Sequence, residues 1–380
     1  MFNNESGTRG QALVVHRSGL PRIRAKLAGE GGITIAFLGG SITEGAGASA
    51  ADETSWRALT GRYLQERLGD RLLRCINAGV GGTDSALGAF RLREHVLREG
   101  NVDLLFVEFK VNDGEDREES LRGMEGIVRQ CRRLSPETDL CFVYAGAEKN
   151  FAGLRPFNIA VHEEVAEHYG VPSVDFAAGV YGMIQAGEAE WAALAPDGYH
   201  PNDAGHALYA RFMREYLDQV LFGGEHQAGK RPNAIPGEPL IDGNYEHAAM
   251  LIYEAADYSD DFRIRKLRPG EPLMNWRYST EHVYADAPNA SLTFETQGRG
   301  AGMLLFCGPD TGIIEYSVNG GPYVEANPFD DWCLGAYRPV PLMFPPMGRS
   351  GSLHIAVRNT GRKDGRSQGT GWRVLKLLAY

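Results

Sequence analysis

The sequence predicts a two-part chain, an α/β domain whose parallel sheet carries helices on both faces, followed by an all-β sandwich. Three observations predict it. Apolar, β-branched-rich runs alternate with helical patterns through roughly the first 220 residues. A polar, Gly- and Pro-rich stretch interrupts the chain near residue 223. Beyond it helical periodicity largely disappears, and short strand-like runs are separated by Gly, Pro, Asn and Asp.

In the first part the strand-like runs fall at 33–38, 71–76, 103–109, 139–144 and 171–176, and the helical patterns at about 54–68, 84–98, 117–134, 157–169 and 203–221. This alternation predicts a parallel sheet buried on both faces, since each crossover lays a helix over one side of it. Right-handed crossovers bring every strand's carboxyl end to one edge, where open α/β sheets bind ligands. A strand order of 2-1-3-4-5 makes the first three strands neighbours. The α/β domain is placed at residues 1–224, a linker at 225–237 and the sandwich at 238–380. Within the sandwich, runs at about 249–254, 291–296, 302–306, 313–318, 352–357 and 372–378 read as strands. Ser317-Val318-Asn319-Gly320-Gly321-Pro322-Tyr323 reads as a hairpin turn. Edge strands there are free to pair between subunits, which leaves homo-oligomerisation open.

The chemistry-bearing residues sit at the strand ends. Gly39-Gly40-Ser41-Ile42-Thr43-Glu44 follows directly on the first strand and presents a serine beside helix-start amides. A lone serine hydroxyl is a poor nucleophile; acyl transfer also needs a base, a group that orients the base, and oxyanion donors. Asp197 and His200 offer a carboxylate and an imidazole three residues apart, just before an amphipathic helix. Asn77-Ala78-Gly79-Val80-Gly81-Gly82 and Val111-Asn112-Asp113 offer small or amide-bearing residues after the second and third strands. Ser41, Gly82 and Asn112 therefore converge on one crevice, and that convergence points to an enzyme.

These blocks resemble the SGNH (GDSL-like) hydrolases, all four of whose motif blocks can be matched within residues 30–222. The resemblance implies a flavodoxin-like fold and a serine esterase or acylhydrolase that needs neither cofactor nor metal. It makes Ser41 the nucleophile, His200 the base and Asp197 its orienting partner. Gly82 and Asn112 join the Ser41 amide in the oxyanion hole. Two departures stand out: the first block reads Gly-Gly-Ser-Ile-Thr where Gly-Asp-Ser-Leu is common, and Lys110 stands where the third block often has glycine. The first is a variant associated with carbohydrate esterases, and the second part of the chain resembles the carbohydrate-binding-module-like domains attached to some esterases. The leading expectation is a carbohydrate acetylesterase releasing O-acetyl groups from oligosaccharides such as mannan or xylan fragments. A short-chain lipase or thioesterase of the same fold is the competing enzyme; a catalytically dead glycan-binding protein is the alternative from another class. In the second domain, Asn327 to Arg338 gathers aromatics, acids and arginine, so Trp332 and Asp330 are candidates for one wall of the sugar pocket. Trp191 and Tyr199, flanking Asp197, are candidates for shaping it.

Each residue alone also has a structural reading. Ser41 suits a helix N-cap, Asp197 and Asn202 suit turns, His200 suits a surface, Asn112-Asp113-Gly114 suits a turn, and Gly82 suits a positive φ. Their joint order at strand ends favours the chemical reading. Gly45-Ala46-Gly47-Ala48-Ser49-Ala50 starts too far past its strand for a dinucleotide loop and reads as a small-residue lip to the site. Position 43 is threonine, so there is no Gly-x-Ser-x-Gly elbow. His162 and His168 are six apart, too far for an i, i+4 zinc pair, and read as part of a solvated helix face.

Composition bounds the rest. The 380 residues are 43% hydrophobic and 23% charged, enough for two cores. A net charge of −10 argues against nucleic acid as partner and gives no attraction to anionic membranes. No apolar run reaches the length of a transmembrane helix, and Met1 to Arg24 is polar. Cys75, Cys131, Cys141, Cys307 and Cys333 are an odd set without Cys-x-x-Cys spacing, as expected of reduced thiols in the cytoplasm.

Overall fold

The computed structural model describes residues 12–148, 157–223 and 237–380, so residues 225–236 of the expected linker lie outside the described residues. The chain divides into two compact units, Met1–Gly88 with His95–Asn244, and Ala89–Glu94 with Tyr245–Tyr380.

The first unit is built on strands β1 (Val14–Val15), β2 (Ile33–Gly39), β3 (Leu73–Gly79), β4 (Leu104–Glu108), β5 (Asp139–Tyr144) and β6 (Ser173–Asp175). They form a sheet in the order β1-β6-β5-β4-β2-β3. Its helices are α1 (Pro21–Leu27), α2 (Ser41–Glu44), α3 (Trp56–Leu68), α4 (Ser85–His95), α5 (Arg117–Leu134), α6 (Phe157–Tyr169), α7 (Phe176–Gln185), α8 (Trp191–Leu194) and α9 (Asp203–Leu217). Strands β2 to β6 pair in parallel, and without β1 their order is the expected 2-1-3-4-5. Two-residue β1 adds antiparallel to β6 and is too short to carry a strand-length signal. Strands β4 and β5 are buried at every position, as a sheet covered on both faces requires. Beneath the site the core stacks Phe37 on Phe106, with ring centroids 5.1 Å apart, and sets Trp56 edge-on to Phe37 at 5.3 Å.

One register row places the site. Gly39 of β2 pairs with Gly79 of β3 on one side and with Glu108 of β4 on the other. Ser41, Gly82 and Asn112 leave the sheet two, three and four residues beyond that row, on the same edge.

The second unit holds β7 (Ala249–Leu251), β8 (Asp257–Tyr258), β9 (Arg263–Arg265), β10 (His282–Ala285), β11 (Ser291–Gly298), β12 (Ala301–Cys307), β13 (Gly312–Val318), β14 (Val324–Ala326), β15 (Arg338–Met343), β16 (Gly351–Lys363) and β17 (Trp372–Ala379). One sheet runs β15-β12-β17-β10-β9 with β7 also on β17; the other runs β14-β13-β16-β11-β8. Pairing between these strands is antiparallel, and residues of both sheets, among them Leu305, Val374, Phe294 and Ile355, share one core. Asn319 and Gly320 take φ of 51° and 73° between β13 and β14, which is the expected hairpin turn. Strands β8, β9, β10, β14 and β15 go beyond the expected set. They are two to six residues long, and β15 contains Pro339 and Pro341, which an edge strand tolerates.

Candidate active site

Ser41 is the first residue of the single-turn helix α2, entered through Gly40 in extended conformation. Gly40 is the N-cap and no side chain caps this turn, so the serine hydroxyl is not spent on capping. It meets His200 Nε2 at 2.8 Å instead. A Cβ on Gly40 would collide with Asn112 Oδ1, so glycine there lets the Asn112 carboxamide lie against the residue next to the serine.

His200 is carried by the turn between α8 and α9. Its Nδ1–H donates to Asp197 Oδ2 at 2.6 Å, leaving Nε2 to accept from the Ser41 hydroxyl. The other oxygen of Asp197 accepts from the Tyr199 amide at 2.9 Å and the His200 amide at 2.7 Å. Partial burial works to raise the Asp197 carboxyl, but the His200 and Tyr199 amides with the imidazole outweigh it and hold the group below its ordinary value. A carboxylate so held stays charged and fixes both the ring's orientation and its tautomer. Trp191 braces this turn from within: its indole is buried and Nε1 donates to the Gly198 carbonyl at 3.1 Å. That corrects the expectation of Trp191 as a substrate contact, since its face is packed rather than open. Tyr199 is 48% exposed beside it.

Gly82 takes a φ of 66° in the loop after β3. The neighbouring Gly81 amide donates to Glu44 Oε2 at 2.7 Å, and Thr43, the residue before Glu44, donates its hydroxyl to Glu108 Oε2 at 3.0 Å. The serine turn is thereby tied to the loop after β3 and to the end of β4. After β4, Phe109 O accepts from the Asn112 amide at 3.0 Å and from the Asp113 amide at 2.9 Å, which curls the chain so that Asn112 faces Gly40.

The segment from Gly45 to Thr54 borders His200. Gly47 has a φ of 88°, and a Cβ there would run into the carbonyl of Pro201. Asp203, opening α9, accepts from the Ser49 hydroxyl at 2.5 Å, the Thr54 hydroxyl at 2.7 Å and the Ser49 amide at 2.8 Å, bonds that hold its carboxyl down at about 2. His206, one turn on, is buried. Its Nε2–H donates to Ala46 O at 3.1 Å and its Nδ1 accepts from the Trp56 amide at 3.2 Å. Burial pushes this imidazole down to about 4, against the pull of Ala46 O and Asp203, so it stays neutral and keeps both bonds.

Residues 37–208 match the model of the GDSL-like lipase/acylhydrolase family. Over these residues the chain is similar to that family. That match supports carboxylic ester hydrolysis as the reaction class. No curated protein matches the chain. Among solved structures, it is similar to a two-domain esterase (CEX) active on acetylated mannans, co-crystallised with mannopentaose. That match has 22% identity and a TM-score of 0.80, over 96% of each chain. A second structure of that two-domain esterase matches with 21% identity and a TM-score of 0.79, again over 96% of each chain. An acetylxylan esterase from Geobacillus stearothermophilus, Axe2, has 21% identity and a TM-score of 0.43, covering 49% of this chain and 94% of its own. The two-domain matches establish a shared fold along nearly the whole chain, a parallel α/β unit followed by an antiparallel β unit.

Against the GDSL-like pattern, Lys110 occupies the third-block glycine position with its side chain fully buried, Nζ donating to Ala145 O at 3.1 Å. In the second unit Trp332 is 64% exposed on a short 3-10 turn, Asp331–Leu334. Asp330 is committed elsewhere: one oxygen caps that turn, accepting from the amides of Trp332 at 3.1 Å and Cys333 at 3.2 Å, and the other pairs with Arg338. Both oxygens of Asp330 thus serve its own turn and Arg338, with the side chain 45% exposed. His162 is likewise not on a solvated face; it is buried, with Nε2 at 2.7 Å from Asp113 Oδ2, while His168 lies on the exposed side. Apart from its asparagine-aspartate sequence, nothing local in the chain signals that pair, because its partners come from three different helices.

Proposed function

We propose that the protein is a serine esterase that removes O-acetyl groups from acetylated oligo- or polysaccharides through an acyl-enzyme. The observation that carries this reading is the unbroken hydrogen-bonded line from Ser41 Oγ to His200 to Asp197, at 2.8 Å and 2.6 Å, on the ligand-binding edge of the sheet. His200 takes the proton of Ser41 as the hydroxyl attacks the ester carbonyl, and returns it to the departing sugar oxygen. Asp197 orients the ring and stabilises the imidazolium. The Ser41 amide, Gly82 amide and Asn112 carboxamide donate to the oxyanion that forms, where one donor is worth about 3 kcal/mol of barrier. Water, activated by the same imidazole, then frees acetate. The choice of a carbohydrate ester rests on the likeness to the two-domain esterase active on acetylated mannans, which extends through both units.

The test is acetate release from acetylated mannan, xylan and cello-oligosaccharides, with p-nitrophenyl acetate and butyrate alongside. Wild type releases acetate from a glycan, and Ser41→Ala abolishes it. Asn112→Ala lowers kcat by roughly 100- to 1000-fold with a smaller change in KM. Full activity in folded Ser41→Ala would overturn the mechanism; release from the nitrophenyl esters alone would overturn the substrate class.

A further inference from the structure

We propose that Asp113 and His162 are positioning residues for the oxyanion hole, a buried clamp that fixes the Asn112 carboxamide relative to the Gly82 loop. The inference rests on the esterase reading above and adds residues that take no direct part in it. Asp113 and His162 are 4% and 1% exposed. The Asp113 carboxylate collects four donors. Oδ1 accepts from the Ser85 amide at 2.7 Å; Oδ2 accepts from the Ser85 hydroxyl at 2.7 Å, the Ser120 hydroxyl at 2.9 Å and His162 Nε2 at 2.7 Å. The backbone of the same turn is held as well, since Asn158 Nδ2 donates to Lys110 O at 2.9 Å and to Asp113 O. Three helices, α4 through Ser85, α5 through Ser120 and α6 through Asn158 and His162, thus grip one four-residue turn.

Ser85 stands three residues after Gly82, and Asp113 directly follows Asn112. One carboxylate therefore joins the loops that carry two of the three proposed oxyanion donors, and its bond lengths set their separation. An ionised carboxylate suits the task because it only accepts and offers about four lone-pair directions, matching the four donors. Burial works to raise the Asp113 carboxyl, and the bonds to His162 and Ser85 outweigh it, so the group stays charged. His162 supplies a donor from a rigid ring, while its Nδ1 meets no partner among the described residues. The nitrogen facing Asp113 is the one in use, and a catalytic site tolerates little error in donor placement: about 1 Å can cost on the order of 100-fold.

The test is steady-state kinetics on p-nitrophenyl acetate with wild type, His162→Leu, His162→Gln, Asn112→Ala and the Asn112→Ala/His162→Leu double variant. Removing the donor in His162→Leu lowers kcat roughly 10- to 100-fold with KM within about twofold. His162→Gln, whose amide N–H reaches the same place, recovers most of the loss. In the Asn112→Ala background His162→Leu costs less than about threefold more, because its effect passes through the missing carboxamide. Equal losses with and without Asn112, or unchanged kcat in a folded His162→Leu, would overturn the clamp. If His162→Leu does not fold, Ser120→Ala removes a different donor from the same oxygen and is read by the same cycle. A result in which Ser41→Ala stays active defeats the esterase reading itself; loss in Ser41→Ala and Asn112→Ala beside an inert clamp defeats only this inference.

Discussion

Glu108 ends the central strand β4 with its side chain 1% exposed, one oxygen bonded to Thr43 and the other, Oε1, without a donor among the described residues. Burial pushes its carboxyl from 4.5 up to about 7; the Thr43 hydroxyl and the Lys110 ammonium only partly oppose that. Between these two values the unfolded chain releases a proton that the folded protein keeps. Raising the pH through this window therefore favours unfolding, and the loss is complete once the pH passes about 7. Glutamine imitates the protonated acid in shape and charge. We expect Glu108→Gln to be more stable than wild type at pH 8, by on the order of 3 kcal/mol, and to match it near pH 4. Urea unfolding at the two pH values measures this; an equal difference at both would mean that the carboxyl titrates normally. The same residue illustrates what a sequence conceals. A glutamate inside an apolar run is legible as a strand end, whereas its isolation from donors depends on what Gly39, Thr43 and Lys110 bring to it from elsewhere.

The lip from Gly45 to Thr54 is held by the beginning of α9, through Asp203 and His206, and meets the turn that carries His200 through Gly47. Its small residues let backbone approach backbone, so Gly47→Ala places a methyl against Pro201 and forces a non-glycine residue into a positive φ of 88°. We expect kcat/KM to fall roughly tenfold or more through displacement of His200, with a loss of about 1 to 3 kcal/mol in stability. Steady-state kinetics beside thermal unfolding checks this, and unaltered kinetics would show that the lip does not set the base. At this scale the long elements are legible in the chain. The five parallel strands and the helices following them announce themselves by apolar period and length, and Ser41, Gly82 and Asn112 fall where those strands end. What stays hidden is contact between elements. The Asp113 carboxylate draws its donors from three helices, and the bonds by which Trp191 and Asp330 hold their own turns are invisible in the chain. Strand β15 was hidden for a different reason, because Pro339 and Pro341 break the strand signal that its edge position permits.

Among the described residues, one core lies against the parallel sheet and another between the antiparallel sheets. Trp332 belongs to the second unit and presents an exposed indole, a surface on which the C–H face of a sugar can stack. If the β unit serves glycan recognition, Trp332→Ala lowers kcat/KM on acetylated oligosaccharides several-fold while leaving p-nitrophenyl acetate untouched. An equal effect on both substrates, or on neither, would assign that residue another role. Among the described residues no helix is long and apolar enough to cross a membrane.

The hydrogen bond between Ser41 and His200 closes a loop of 159 residues, and that span has a meaning for biosynthesis. A growing chain emerges amino-terminus first, so the serine turn leaves the ribosome well before the imidazole it bonds to. Until β6 has joined the sheet and the turn before α9 has docked, that hydroxyl has no imidazole beside it. On the proposed mechanism a half-made chain amid cellular esters is therefore chemically quiet, and the first appearance of turnover in a refolding experiment times the completion of the α/β unit.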